Sequence, residues 1–485
     1  MKILQKMFIG LIVTGISLNA MAAVEVGEVT YSRGVLTGQL EGAGPKMIGK
    51  GVGLHNGETL NTGSRGFALI KLKDGTRMTL RPNTTFKIDN VETKKGSENA
   101  LFSLIRGGFR ALTGAISKAN ANAFRINTSV ATIGIRGTEF DARLCAADEC
   151  ATENKATGRV SQNESRVVGR IAVLKGKASA TEDDDSSRPL IVGAAVYERD
   201  QIQTGIKSFT VIAFNDKTRV TMSPRSAFRI EEHEYKPDQP DENNSFLSFL
   251  QGGLRLVTGA IGKLNRTAFR IGTPTATIGI RGTGFDLICE GACVSTNAMR
   301  DPAGDTLLGK FLNFFVKPAF ALGDGNGMYT KVWSGAIELQ LGTKTMLLEN
   351  GKSAYLKNSF SLPQLIPDLP VNIRSMDGAP RPDKVVVDEG LFSESSPTEI
   401  EPGLYVNVRK GDVAVQGGDG KVVNLGAGEA SLVGGGKTVR LSFVPAFQKF
   451  DKVPDPSKIT TKGERLLDLL GEDGGDSEQL ECTVR

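Results

Sequence analysis

Residues Ala123 to Cys145 read AFRINTSVATIGIRGTEFDARLC, and residues Ala268 to Cys289 read AFRIGTPTATIGIRGTGFDLIC. FRIN and ATIGIRGTEFDA alternate small or polar residues with apolar ones, the period of a strand that buries one face. The block is therefore sheet, and it is written twice. The spacing of the two copies far exceeds the roughly 20 to 50 residues of a solenoid repeat, so the duplicated unit is a domain.

Outward from the block the register holds. Gly27, Gly34 and Gly63 recur as Gly169, Gly176 and Gly205, and DGTRMTLRPNTTFKI (Asp74 to Ile88) recurs as DKTRVTMSPRSAFRI (Asp216 to Ile230), all 142 positions further on. Beyond a variable loop, LIRGGFRALTGAISK recurs as LQGGLRLVTGAIGK, and Arg136 recurs as Arg281 at a spacing of 145. The second copy thus carries three extra residues near EYKPDQPDENN. Gly51, Gly57 and Gly75 stand between the alternating runs, where chain reversal with positive φ is cheap. With 58 glycines and one tryptophan, the composition agrees with many short strands. The expectation is an all-β chain: two tandem units of sandwich or short β-helix type, with little helix.

Two shorter echoes follow, VWSGAIELQLGTKTMLLENGKSAYL (Val332 to Leu356) and VNVRKGDVAVQGGDGKVVNLGAGEASL (Val406 to Leu432). Each reads either as the closing sheet of a copy or as a fragmentary third unit. Between them, Ser359 to Pro402 holds seven of the 19 prolines and no clear periodicity, which marks a linker. The expected partition is a signal peptide at 1–22, a first domain at 23–160, and a second at 161–358 with an insert near 295–327. A Pro-rich linker at 359–402, a small β segment resembling a partial repeat at 403–450 and a mobile tail at 451–485 complete it.

The first residues, MKILQKMFIGLIVTGISLNAMA, place Lys2 and Lys6 before an apolar run that ends in a small-x-small site at Ala20 to Ala22. That is the pattern of a secretory signal peptide cut after Ala22, so a periplasmic or secreted protein is expected. No later stretch reaches the roughly 20 apolar residues of a membrane span. Removing both lysines takes the formal charge from +5 to +3, too slight to argue for nucleic acid or an anionic membrane.

Each block ends in a cysteine pair, Cys145 with Cys150 and Cys289 with Cys293. Matching positions and an oxidising compartment predict one local disulfide in each copy, leaving Cys482 over. His55 and His233 occupy no matching repeat positions and are expected in surface loops rather than at a metal. The acidic stretches at Asp183 to Asp185, Gly323 to Gly327 and the C-terminus lack the ligand ladder of a calcium loop. Arg136, Gly137, Thr138 and Asp141, with Arg281, Gly282, Thr283 and Asp286, are the candidate binding residues. On a regular strand Arg136 and Thr138 share a face and Asp141 takes the other, unless a bulge at Gly137 resets the register. They read either as a structural Arg–Asp pair or as a partner-docking or anion-binding edge. Glu139 becomes Gly284 in the second copy. A basic stripe, Arg106, Arg110, Arg125 and Arg136, echoed by Arg255, Arg270 and Arg281, would suit an anionic partner if it shared one face. FLNFFVKPAFAL (Phe311 to Leu322) is the most apolar stretch after the signal.

GGFRALTGAI followed by FRINTSVATIGIRGTEFD, and GGLRLVTGAI followed by FRIGTPTATIGIRGTGFD, resemble the FecR domain family, named after a periplasmic sensor of iron-dicitrate regulation. The resemblance spans roughly Val24 to Cys150 and Val167 to Cys293. It implies an extracytoplasmic β-rich binding or signalling module without known catalysis. In the family's namesake the domain follows a cytoplasmic anti-sigma segment and a membrane span; here a cleavable signal stands in that place, so iron regulation is not carried over. The expectation is an exported, non-enzymatic module that binds protein, senses or scaffolds in the bacterial cell envelope, without a cofactor. A glycan or peptidoglycan ligand is the alternative.

Overall fold

The computed structural model describes residues 24–119, 123–158, 165–183, 187–265, 267–290, 327–370, 376 and 378–456. The expected signal peptide, the apolar stretch at 311–322 and Cys482 lie outside them. The chain is all-β. It forms two sheets of fifteen strands each, with the same strand order in both.

The alternation read from the sequence sets the burial. In Phe124–Asn127 the two apolar residues are buried and Arg125 is exposed. In Ala131–Cys145 burial alternates through Ile135, slips at Arg136 and Gly137, and resumes at Thr138. Phe124–Asn127 runs parallel to Asn99–Leu112 and antiparallel to Ala131–Cys145, and Phe269–Gly272 repeats this with Asn244–Val257 and Thr277–Glu290. The three extra residues of the second copy fall in the turn between Ala227–Glu234 and Asn244–Val257.

Phe86, Phe102, Phe109, Phe124 and Phe140 form a ladder through the first core, with neighbouring ring centroids 5.2 to 5.6 Å apart. Each buried ring contributes about 2 to 3 kcal/mol by removal from water. Phe228, Phe269 and Phe285 stand at the matching positions of the second core, with Leu247 and Leu254 replacing two rings.

The closing strands resolve the alternatives left open for the two echoes. Gly327–Leu341 runs antiparallel along Thr277–Glu290 and closes the second copy. Gly403–Gly417 runs antiparallel along Ala131–Cys145, from Ala131 opposite Gly417 to Cys145 opposite Gly403, and closes the first. Leu404, Val406, Val408, Val413 and Val415 lie in the same core as the Phe86 ladder. Residues 403–441 are thus part of the first sheet rather than a third unit, and the whole second copy is nested inside the first.

The nesting brings the two copies into contact through buried charge. Arg170 is 1% exposed; it donates to Glu429 Oε2 at 2.5 Å and to the carbonyls of Gly193 and Asn424, each at 3.1 Å. Arg188 bridges Asp200 and, at 3.3 Å, Asp412. The Tyr197 hydroxyl donates to Gly411 O at 3.2 Å and accepts from Ala427 N at 2.8 Å.

The linker and the start of the tail are docked. Arg219 and Arg255 donate to carbonyls of Ala379, Pro382 and Val385 on the second copy. Asp451 pairs with Arg81 on the first, where sequence patterning suggests mobility. Apart from Gln364–Ile366, which adds an edge strand beside Ser353–Leu356, and a bridge from Ser395 to Leu441, these contacts are made by side chains rather than by a ladder, so neither segment has strand periodicity.

Candidate functional site

The repeated block is built around a bulge. Gly137 and Gly282 adopt φ of 58° and 62°, the left-handed region that favours glycine, and the pairing register slips on both sides of Glu139 and of Gly284. The bulge frees one hydroxyl and one amide for cross-strand bonds. Thr138 Oγ1 donates to Asp412 O at 2.9 Å and its amide donates to Thr113 Oγ1 at 2.8 Å. Thr283 repeats this with Ala336 O at 2.6 Å and Thr258 Oγ1 at 2.9 Å. Both threonines are buried stitches of the closing strand.

Asp141 does not pair with Arg136. Beyond the bulge it is buried against Arg110 Nε at 2.6 Å, Arg409 Nε at 2.8 Å and Asn407 Nδ2 at 3.3 Å. Arg136 lies near Asp412 instead, and burial lowers its pKa against that carboxylate's pull. In the second copy Asp286 accepts from Arg255 Nε at 3.2 Å and from Trp333 Nε1 at 3.0 Å, while Arg281 pairs with Glu338 at 2.8 Å on the surface. The slip in register is the reason: it takes the Arg and Asp of the motif to different neighbours.

Each copy therefore carries a seam centred on a buried carboxylate, Arg110–Asp141–Arg409 in one and Arg255–Asp286–Trp333 in the other. Burial raises the pKa of Asp286, with Arg255 and Trp333 opposing. Burial disfavours the charge of Arg409, but Asp141, Asp455 and Glu139 outweigh it and raise its pKa. Glu139 is raised by burial and by Asp455, with Arg409 opposing. The Glu139-to-Gly284 difference now has a cause: a Cβ on Gly284 would sit 2.1 Å from Trp333 Cζ3. An acid beside an arginine in one copy is exchanged for a glycine beside an indole in the other. Arg409 and Trp333 escaped the sequence reading; the signal was the matched position of each on the two echoes.

The basic stripe is not one face. Arg106 reaches Glu149 at 3.4 Å, Arg110 is buried in its seam, Arg125 is exposed and Arg270 stacks on Phe246 at 5.5 Å. Neither histidine is in a surface loop. His55 ends the short strand Gly53–His55, half-buried, with Nδ1 3.5 Å from Glu58. His233 is 4% exposed on the strand Ala227–Glu234, between Ser245 Oγ at 3.1 Å and Asn215 Oδ1 at 2.8 Å. Burial pushes its pKa down to about 4. Its counterpart in the first copy, at the spacing of 142, is the buried Val91. The aligned repeats thus carried the signal that this position faces a core, whereas Asn215 and Ser245 meet the ring only through strand pairing.

Cys145 and Cys150 form a disulfide. Cys289 is also disulfide-bonded, while Cys293 lies outside the described residues. Among the described residues no cluster of three or more His, Cys, Asp or Glu is arranged to hold a metal, and no helix is long and apolar enough to cross a membrane.

Two nested strand-rich units, each with a bulged threonine stitch and a carboxylate seam, define a tandem all-β protein. Both repeats match the FecR protein family, over residues 58–161 and 200–299, so the chain carries two tandem FecR domains. The matched residues stop short of both closing strands. Two solved structures of a candidate anti-sigma factor from Parabacteroides distasonis ATCC 8503, at 1.65 and 2.50 Å, are similar at 12% and 11% identity. The likeness covers 34% of this chain and 58% of those chains at a TM-score of 0.23, too weak to carry an argument. No curated protein matches the chain.

Proposed function

We propose that this chain is an exported, non-catalytic FecR-domain protein that binds another protein, as a sensing or scaffolding module of the bacterial cell envelope. The observation that carries the reading is that both seams hold polypeptide main chain. Arg110 Nη1 donates to Val453 O at 2.9 Å, and Arg255 Nη1 donates to Ala379 O at 2.7 Å. A guanidinium fixed at one edge by a buried carboxylate presents its other edge for such a contact. Of the eight candidate residues, Asp141 and Asp286 act in this way as positioning residues; Gly137, Thr138, Gly282 and Thr283 shape the strand, and Arg136 and Arg281 flank it. The disulfides support an oxidising compartment, consistent with residues 1–22 acting as an export signal.

Crosslinking in intact cells followed by mass spectrometry tests the reading, with purified cell wall as a parallel bait. One dominant envelope protein is expected. Retention on peptidoglycan with no protein adduct would overturn it in favour of a glycan ligand.

A further inference from the structure

Asp377 to Lys384 reads DGAPRPDK, and Asp451 to Lys458 reads DKVPDPSK. Both are D-x-x-P-x-P-x-K, 74 positions apart, and each follows the closing sheet of its own copy. The described residues of each lie along the seam of that copy with matched contacts. Arg110 and Arg255 take the carbonyl before the first proline, as above. Arg77 Nη1 donates to Pro456 O at 3.4 Å, and its counterpart Arg219 Nη1 donates to Pro382 O at 3.3 Å. Thr79 Oγ1 adds a bond to Pro454 O at 2.9 Å. Its counterpart Thr221 is fully buried, with no hydrogen-bond partner for its hydroxyl among the described residues.

The chemistry of this contact selects its ligand. Proline has no N–H and cannot join a sheet ladder, but its neighbourhood offers a row of accepting carbonyls. Two arginines and a threonine supply the matching donors in the first seam, the threonine through its hydroxyl hydrogen. Pro454, Pro456, Ala379 and Pro382 are buried, and Arg381, between the second copy's prolines, has φ −69° and ψ 127°, near the polyproline conformation. The residue between the prolines meets the position that differs between the seams. Arg381 lies over the Trp333 ring, 4.0 Å from its centroid, as a cation on an indole face. In the first copy that residue is Asp455, which bears electrostatically on Arg409.

We propose that the seam of each copy is a recognition groove for an extended x-Pro-x-Pro segment, occupied here by the chain's own segment, and that the partner carries such a segment. The first groove selects an acid between the prolines and the second a base. The inference rests on the protein-binding reading and names the chemistry of the partner. An internal segment is present at a high effective concentration, about millimolar for a short tether, so a partner gains most by presenting two such segments at once.

The test uses the full chain and fluorescein-labelled synthetic peptides in an anisotropy titration. In one variant the internal segment is erased by Val453→Gly, Pro454→Ser, Asp455→Gly and Pro456→Ser. This variant is expected to bind DKVPDPSK saturably at 1:1, at least about tenfold more tightly than the unaltered chain does. It is expected to bind DKVPRPSK at least about tenfold more weakly than DKVPDPSK, a factor equivalent to about 1.4 kcal/mol. A variant that keeps its circular dichroism spectrum yet binds neither peptide, or both equally, overturns the proposal. If erasing the segment unfolds the chain, the single variant Arg409→Asp is titrated instead; it must prefer DKVPRPSK, and equal binding again overturns the groove. Loss of peptide binding with the envelope crosslink intact would remove the groove and leave the protein-binding reading standing.

Discussion

Asn215 Oδ1 can only accept, so in the neutral ring His233 Nε2 carries the proton and Nδ1 accepts from Ser245. Protonation would cost this buried arrangement its acceptor, in line with the depressed pKa of about 4. Because the folded pKa lies below the unfolded value of about 6.5, the unfolded chain takes up the proton first as pH falls. Stability due to His233 is therefore full above about pH 6.5, declines toward pH 4 and is level below, a total of about 3 kcal/mol. Asp200, raised by burial to about 6, acts in the opposite sense over much of the same window, so the difference between variants isolates the histidine. In urea unfolding from pH 7 to 4, the stability of the unaltered chain minus that of His233→Gln is expected to fall by about 3 kcal/mol. At the seam, Gly284→Glu should lower stability by about 2 kcal/mol or more through overpacking against Trp333, and Trp333→Ala in the same chain should restore part of it. The identities of these residues were plain in the sequence. Their partners were not, since Arg110, Asp141 and Arg409 are brought together only by pairing of distant strands.

At the scale of elements, the bulged strand repeats, and in each copy it carries a disulfide-bonded cysteine at its C-terminal end. Closing the short Cys145–Cys150 loop restricts the unfolded chain by about 2 kcal/mol. Cys145→Ser with Cys150→Ser is expected to lower the midpoint of thermal unfolding without changing the far-ultraviolet spectrum, and reductant should have the same effect on the unaltered chain. Strand alternation made Phe124–Asn127 and Ala131–Cys145 legible at once, down to the slip at Gly137 that glycine's freedom makes possible. The docked segments were illegible because a proline-rich stretch has no period to detect. Their repetition as D-x-x-P-x-P-x-K was present in the sequence, but only the arginine contacts give the pattern a meaning.

Across the whole molecule, the first core depends on strands that follow the second copy in the chain. Truncation after Pro402 is expected to leave a cooperative unfolding transition from the second copy while exposing the Phe86 ladder, read by calorimetry and by binding of a hydrophobic dye. Arg170→Ala should cost about 3 to 5 kcal/mol, because it leaves Glu429 buried with a reduced set of partners. A smaller loss in urea titrations would mean that water reaches the carboxylate.

The sequence by itself determined that the protein is all-β, duplicated and related to FecR domains, because side-chain alternation and a domain-length repeat are local or self-comparing signals. Tertiary structure alone decided which copy each closing strand completes, which arginine serves which carboxylate, and that the proline segments fill the seams. These are pairings between residues up to several hundred positions apart, selected by shared burial and hydrogen-bond complementarity, and no periodicity along the chain encodes them.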